Sequence, residues 1–343
     1  MAEESRMERT IDTPAEELLG LAKVHFKRDF EIIPLVGDGS DRRIFRLRHP
    51  SVGSLIGVFH TDVQENKDFL LITEAMRRLE LPVAEVYGAN EESTAYLLQD
   101  LGPNNLAADL QQWKGQNEPA KVINAYEQTI SWLPRIQQRL PKLLKVHLEG
   151  RVMDRAQLLE DLTYFETHFV QLFELEGSYT QELQEELVQK LIDPVAALAQ
   201  DRFVYRDFQA RNFMWTQEKI HFLDYQSGML GNRFYDLASM LYASKAGLND
   251  KQRALLLHQG YLCLKLEEET KQQFEQRFYQ VLLLRRLRSL GSYGYLGKVK
   301  GKPGFYASLD PTVMQIKGLI KDQLPELEQL GCFLEKVPAF MPA

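Results

Sequence analysis

Cysteine is nearly absent: Cys263 and Cys332 are the only two in 343 residues. That excludes a disulfide framework and a cysteine-built metal site. A basic excess is lacking as well, since 41 Lys and Arg face 48 Asp and Glu for a net charge of −7. Bulk nucleic-acid binding is therefore not expected. No apolar run approaches the roughly 20 residues of a membrane-spanning helix. The opening MAEESRMERTID is acidic and has no apolar h-region, so a secretory signal is not expected either. Repeats and low-complexity segments are absent. The seven histidines (His25, His49, His60, His147, His168, His221 and His258) show no metal-ligand spacing, which disfavours a zinc enzyme. What is present is 44% hydrophobic and 10% aromatic content, enough for a real core. The length exceeds that of one usual core, so two lobes are expected in a cytoplasmic protein with no membrane partner.

The pattern changes along the chain. Residues 14–28 read as a helix, with Thr13 as N-cap, Pro14 at its first position and Glu16 completing a capping-box signature. Strand-like runs follow at Glu31–Val36, Ile44–Arg48 and Leu55–Phe59. A helix is expected over Asn66–Leu79, then two more strands at Glu85–Gly88 and Thr94–Gln99. From Asn104 onward long helical patterns dominate, interrupted only near 203–224. The expected class is α+β, with a strand-rich lobe over 1–100 and a helical lobe over 101–343.

The chemistry concentrates between Phe203 and Asp236. FVYRDFQARNFMW is followed by a polar turn at Thr216-Gln217-Glu218 and then KIHFLDYQ. Phosphoryl transfer asks for a carboxylate near the nucleophile and oxygen ligands for magnesium. Asp207 and Asn212 stand five residues apart in a segment too polar for a core strand. Phe213–Trp215 and Ile220–Leu223 read as hairpin arms whose return strand carries Asp224. Asn212 and Asp224 supply the few hard oxygen ligands that magnesium takes from protein. Any one of these residues also suits a plain turn; the ordered set, with Tyr235-Asp236-Leu237-Ala238 opening a helix behind it, is what points to catalysis.

YRDFQARN at 205–212 resembles the H-x-D-x-x-x-x-N catalytic loop of the aminoglycoside phosphotransferase and protein-kinase superfamily, and DYQ at 224–226 its metal-binding motif. FYDLASMLY at 234–242 is similar to the helix start that follows in aminoglycoside phosphotransferases. GDGSDRRIFRL, LLQDLG, MDRAQLLEDLTYF and the stretch 284–311 resemble a bacterial branch of anomeric kinases of N-acetylmuramate and N-acetylglucosamine. The resemblance covers roughly residues 30 to 320. It implies a bilobal protein-kinase-like fold, Asp207 as catalytic base, Asn212 and Asp224 as Mg2+ ligands, and Asp236 as a brace for the loop. It further implies a nucleotide as phosphoryl donor, ATP in the first instance with nothing in the sequence choosing between ATP and GTP, and a small-molecule acceptor, a sugar in the first instance. Tyr205 replaces the loop histidine, and an aromatic ring can substitute by packing.

For the nucleotide, Gly37, Gly39 and Ser40 lie where a phosphate-covering loop would, although such residues also make ordinary hairpin turns. A protein kinase next supplies a strand lysine paired with a helix glutamate. Here the first hundred residues hold only Lys23, Lys27 and Lys67. Arg42, Arg43 and Arg46 are the nearest substitutes, since guanidinium groups bind phosphate oxygens bidentately, and they equally suit a solvated strand edge. Lys67, in the helix that contains Glu74, is a further candidate. Gln99 and Leu101, around the joint, are expected to face the nucleotide base. On the acceptor side, the basic cluster Arg285, Arg286, Arg288, Lys298, Lys300 and Lys302 stands out in an acidic chain. It could receive an anionic acceptor or cap a helix end. The rivals are a kinase of an aminoglycoside, choline or homoserine-like alcohol, a protein kinase, and a non-catalytic nucleotide-binding regulator. A protein kinase is disfavoured because helix 235–243 follows DYQ too soon for a long activation loop.

Overall fold

The computed structural model describes residues 13–35, 41–243 and 246–340. The chain divides into two compact units, residues 1–103 with 216–226, and residues 104–215 with 227–343. Segment 216–226, expected in the helical lobe, therefore belongs with the strand-rich one.

In the first unit α1 (Thr13–Phe26) precedes β1 (Glu31–Leu35), β2 (Arg43–His49) and β3 (Gly53–Phe59); α2 (Val63–Arg78) then leads to β4 (Val86–Ala89) and β5 (Ala95–Gln99). The five strands form one antiparallel sheet in the order β1-β2-β3-β5-β4. β5 reads Ala-Tyr-Leu-Leu, an uninterrupted apolar run, because both faces of the sheet are covered. Ala95 and Leu97 join Leu18 and Ala22 of α1 with Phe45, Leu47 and Leu55 in one core. Tyr96, pointing the opposite way by strand alternation, stacks on Phe69 of α2 with centroids 5.1 Å apart. Gly57 admits the close approach of α1, for a Cβ there would lie 2.9 Å from both Leu18 and Leu47. Asp62 caps α2 through its side chain, which accepts the Glu65 N–H.

The second unit contains α3 (Leu106–Gly115), α4 (Pro119–Leu143), α5 (Arg155–Phe165), α6 (Gln181–Leu187) and α7 (Asp193–Ala196). After the loop region come α8 (Tyr235–Tyr242), α9 (Asp250–Leu264), α10 (Lys271–Gly294), α11 (Pro303–Tyr306), α12 (Leu309–Gln323) and α13 (Glu328–Glu335). β6 (Arg202–Val204) pairs with β9 (Met229–Gly231). β7 (Phe213–Thr216) and β8 (Lys219–Phe222) form the expected hairpin, whose return strand β8 lies in the segment 216–226 counted with the first unit. α10 opens on a capping box made by Thr270 and Gln273 and buries Phe274, Phe278 and Leu282 along its length. α5 continues into a π-helical turn, Glu166–Gln171, and α10 into another, Tyr295–Val299. The stripe Leu158, Leu162, Phe165 and Phe169 on the first of these is buried core. Among the described residues, no helix is long and apolar enough to cross a membrane.

Candidate active site

The loop expected to carry catalysis lies in the second unit. β6 feeds it and pairs antiparallel with β9, Phe203 opposite Leu230. The chain then turns at Arg206, whose φ of 74° is in the left-handed region that side chains other than glycine rarely adopt. Such a backbone persists only where its surroundings over-determine it. Asp236 does this: fully buried in the first turn of α8, it accepts the N–H of Tyr205 at 2.8 Å and of Arg206 at 3.1 Å. Burial pushes its carboxyl up to about 7, against the opposing pull of those two N–H groups and of Arg285. Tyr205 is also fully buried, its ring edge-on to Phe208 at 5.2 Å and Phe213 at 6.3 Å. Aromatic packing thus holds Tyr205, the position at which the loop it resembles has histidine.

Asp207, one residue past the strained turn, keeps a side chain 49% exposed. Its Oδ1 accepts from Gln209 Nε2 at 3.0 Å and its Oδ2 lies 3.7 Å from the Arg211 guanidinium. Asn212 is buried at the end of a short 3-10 turn, and its Nδ2 donates to the Asp207 carbonyl at 2.8 Å. That bond commits the amide nitrogen to the loop and leaves the oxygen outside it.

A second acidic cluster lies within the first unit. Asp224, after β8, is again left-handed, with φ 65°. Its Oδ1 accepts from Arg42 Nη1 and from Gln226 Nε2, each at 2.9 Å. Arg42 also bonds Glu65 of α2 at 2.5 Å, and Gln226 reaches the same Glu65 oxygen at 3.0 Å. His60 Nδ1 lies 3.4 Å from the other Glu65 oxygen. Between Asp224 and Gln226, Tyr225 points into the core, stacks on Phe69 at 5.1 Å and shares a 2.6 Å hydroxyl bond with Thr73. The amide oxygen of Asn212 and the carboxylate of Asp224 are both hard donors, the type magnesium prefers. Among the described residues no cluster of three His, Cys, Asp or Glu could hold a metal by itself.

Several expected nucleotide residues have partners within their own unit. Arg46 binds Asp100 through Nε at 2.6 Å and Nη2 at 3.1 Å, and also donates to the Gly102 carbonyl. Burial alone would raise the Asp100 carboxyl, but bonds from Arg46, the Gly102 N–H and Ser54 hold it below its ordinary value. This bracket fixes the end of β5. The Gln99 N–H donates to the Glu85 carbonyl, and the Leu101 carbonyl accepts from Thr216 Oγ1. Those two groups therefore brace their own unit. Arg43 is exposed, with its guanidinium 5.5 Å from the Phe45 ring centroid. Gly37, Gly39 and Ser40 lie outside the described residues. Glu74, in the same helix as Lys67, is an exposed partner of Arg78; Glu65 is the α2 glutamate that meets Arg42. The signal for Glu65 was its position: it falls on the stripe shared by Phe69, Thr73 and Met76, where a charge needs a partner.

The fold and the braced loop define a protein-kinase-like phosphotransferase. The chain belongs to the phosphotransferase enzyme family (APH), whose model matches residues 32–270. It is 27% identical over 229 residues to the N-acetylmuramate/N-acetylglucosamine kinase of Neisseria meningitidis serogroup B, a match spanning 64% of each chain. Its fold is similar to that of a choline/ethanolamine kinase family protein from Mesorhizobium loti, with a TM-score of 0.57 at 12% identity over 94% of this chain and 99% of that one. It is also similar to the streptomycin-ATP-APH(2")-IIa ternary complex, with a TM-score of 0.55 at 14% identity over 86% of this chain and 98% of that one.

Proposed function

We propose that the protein is a small-molecule kinase that transfers the γ-phosphoryl group of ATP to a sugar hydroxyl, with the anomeric hydroxyl of an N-acetylated amino sugar as the leading acceptor. The observation that carries the reading is the loop held by Asp236: two backbone N–H bonds fix Tyr205 and Arg206, so that Asp207 stands half exposed on a rigid base. The match to an N-acetylmuramate/N-acetylglucosamine kinase supports the acceptor class.

In this mechanism Asp207 accepts the proton of the acceptor hydroxyl as its oxygen attacks the γ-phosphorus. The bond between that phosphorus and the bridging oxygen of ADP breaks, and ADP leaves with the electron pair. Gln209, bonded to Asp207 Oδ1, aims the carboxylate. Asn212 and Asp224 would hold Mg2+, which when bound supplies charge neutralisation across the β- and γ-phosphates. Arg42, paired with Glu65, takes the place of the missing strand lysine and meets the nucleotide phosphates.

The test is ADP release in a coupled assay with N-acetylmuramate, N-acetylglucosamine, choline, an aminoglycoside and homoserine as acceptors. Turnover with the amino sugars, dependent on Mg2+ and lost in Asp207→Ala, is the expected result. Turnover confined to choline, the aminoglycoside or homoserine would replace the sugar by that alcohol. A second reading, a nucleotide-binding regulator, is favoured by one observation: Asp224 is already tied to Arg42 and Gln226. Nucleotide binding without turnover on any hydroxyl compound would select it.

A further inference from the structure

We infer that Arg285 and Arg288 of α10, together with Arg206, form a subsite for an anionic group, a carboxylate or a phosphate, carried by the acceptor. The inference rests on the kinase reading for the word acceptor, and on this unit's own geometry for the subsite.

Positions three apart on a helix share a face, so residues 285 and 288 point the same way. Each guanidinium sits over an aromatic ring and is tied by hydrogen bonds. Arg285 sits 4.1 Å from the centre of Tyr235, donates to Ser239 Oγ at 2.7 Å and reaches the Arg206 carbonyl at 3.5 Å. Arg288 sits 3.5 Å from the centre of Tyr164, donates through Nε to Asp161 at 3.0 Å and through Nη1 to Ser292 Oγ at 2.8 Å. Arg286, between them, is different: it is buried and spends its donors on the Tyr242 carbonyl and Thr312. Lys298 likewise donates to the Leu172 carbonyl. The basic cluster legible in the sequence thus separates into structural members and a presented pair.

The charges do not cancel. Asp161 serves Arg288 directly and feels Arg206 and Arg285 more weakly. Arg211 faces Asp207. Asp236, buried behind the loop, also feels Arg285, but among the described residues no carboxylate forms an ion pair with Arg285 or Arg206. Three guanidinium groups face the two carboxylates Asp161 and Asp236, which leaves a positive surplus beside the catalytic loop. A preorganised fork with spare donors is what planar recognition of a carboxylate or phosphate requires.

The backbone around the pair is shaped to the same end. α5 and α10 touch because Gly291 and Gly294 carry no side chain: a Cβ on Gly291 would meet the Tyr164 carbonyl at 2.9 Å, and one on Gly294 the His168 carbonyl at 2.0 Å. Both helices then widen into π-turns, with His168 of one and Tyr295 of the other 5.1 Å apart. Turns of this kind recur at functional sites. Arg285 holds the carbonyl of the residue before Asp207, and Arg288 lies almost one helical turn, roughly 5 Å, further on. That offset suits an anion elsewhere on the same sugar ring better than the phosphoryl group being transferred.

The experiment compares matched acceptors on the full-length protein, by calorimetry and by ADP release. N-acetylmuramate is set against its methyl ester, and N-acetylglucosamine 6-phosphate against N-acetylglucosamine. The acid of one pair is expected to bind and react about tenfold or more better than its neutral partner, and the pair showing it identifies the anion. In Arg288→Lys, which keeps a charge for Asp161 but loses the fork, the acid-to-neutral ratio of kcat/KM is expected to fall about tenfold. No acid preference in either pair, by either method, overturns the subsite. So does an unchanged ratio in the variant, or a KM for ATP that rises by the same factor. Acid preference in calorimetry with no ADP release on any hydroxyl compound sinks the kinase reading alone and leaves the subsite standing.

Discussion

The two units hold their acidic residues by opposite means. In the first, Asp224 and Glu65 are fixed by charge, with one arginine between them and Gln226 shared by both. In the second, Asp207 is fixed at one remove: its backbone is held by Asp236, which spends a buried carboxylate on two N–H groups, and by the aromatic packing of Tyr205. A charge-held group can exchange partners when a stronger one arrives. A backbone-held group cannot. The difference suits the roles proposed for them, one acid that must accept a cation and another that must keep its aim.

Asp207→Ala attacks the second arrangement at its purpose, and the largest effect is expected there. Turnover should fall by roughly 10²–10⁴-fold, while the melting temperature stays within about 1 °C because the side chain is half exposed. Steady-state kinetics beside a thermal melt decides it; retained turnover would mean that Asp207 is not the base.

Asp236→Ala attacks the brace instead. It strands two N–H groups, at a cost of about 1–3 kcal/mol each, so the melting temperature should drop by about 5 °C or more, with activity lost alongside. An unaltered melt would show that the loop is held by its aromatic packing alone.

The same carboxyl predicts a pH dependence. Its folded value, raised to about 7, lies above the unfolded value near 4, so the folded state keeps a proton that the unfolded chain has released. Its contribution to stability is complete below about pH 4 and is lost as pH rises to about 7. Thermal melts from pH 5 to 8 should show wild type losing stability across that range and Asp236→Asn losing less. Parallel curves would assign the trend to other groups.

Arg42→Gln sharpens the charge-held side. The KM for ATP is expected to rise about tenfold, as for loss of a charge-assisted bond, with Arg42→Lys intermediate because lysine cannot span two carboxylates with a fork. An unchanged KM in both would confine Arg42 to a structural role. The smallest effect expected is that of salt. Raising NaCl from 0.1 to 0.5 M should weaken ATP binding a few-fold by screening its phosphates from Arg42, and leave the Asp236 brace untouched.

Local features were legible in the sequence because they are written locally. The five strands, the turn-and-hairpin region and the spacing of Asp207, Asn212 and Asp224 each depend on neighbours a few residues away. Asp236 was found because its helix start forms a motif with the loop. What could not be read were partnerships over distance. Arg42 meets Asp224 across 182 positions and Arg288 meets Asp161 across 127. Glu65 was missed because its partner Arg42 lies 23 positions away, just before β2. Arg46 resembled a phosphate ligand because nothing nearby reveals that Asp100 claims its fork.

One feature of the first unit bears on how the protein is made. Its closing piece, residues 216–226, follows 112 residues after Pro103, and Phe222 and Tyr225 from that piece are fully buried. A chain emerging from the ribosome can lay down the five-stranded sheet early, yet the ring of Phe69 waits for Tyr225 until the whole catalytic loop has been synthesised. Completion of one unit is thereby timed by the birth of the other, and a fragment ending at Pro103 would be left with a greasy, unfinished flank.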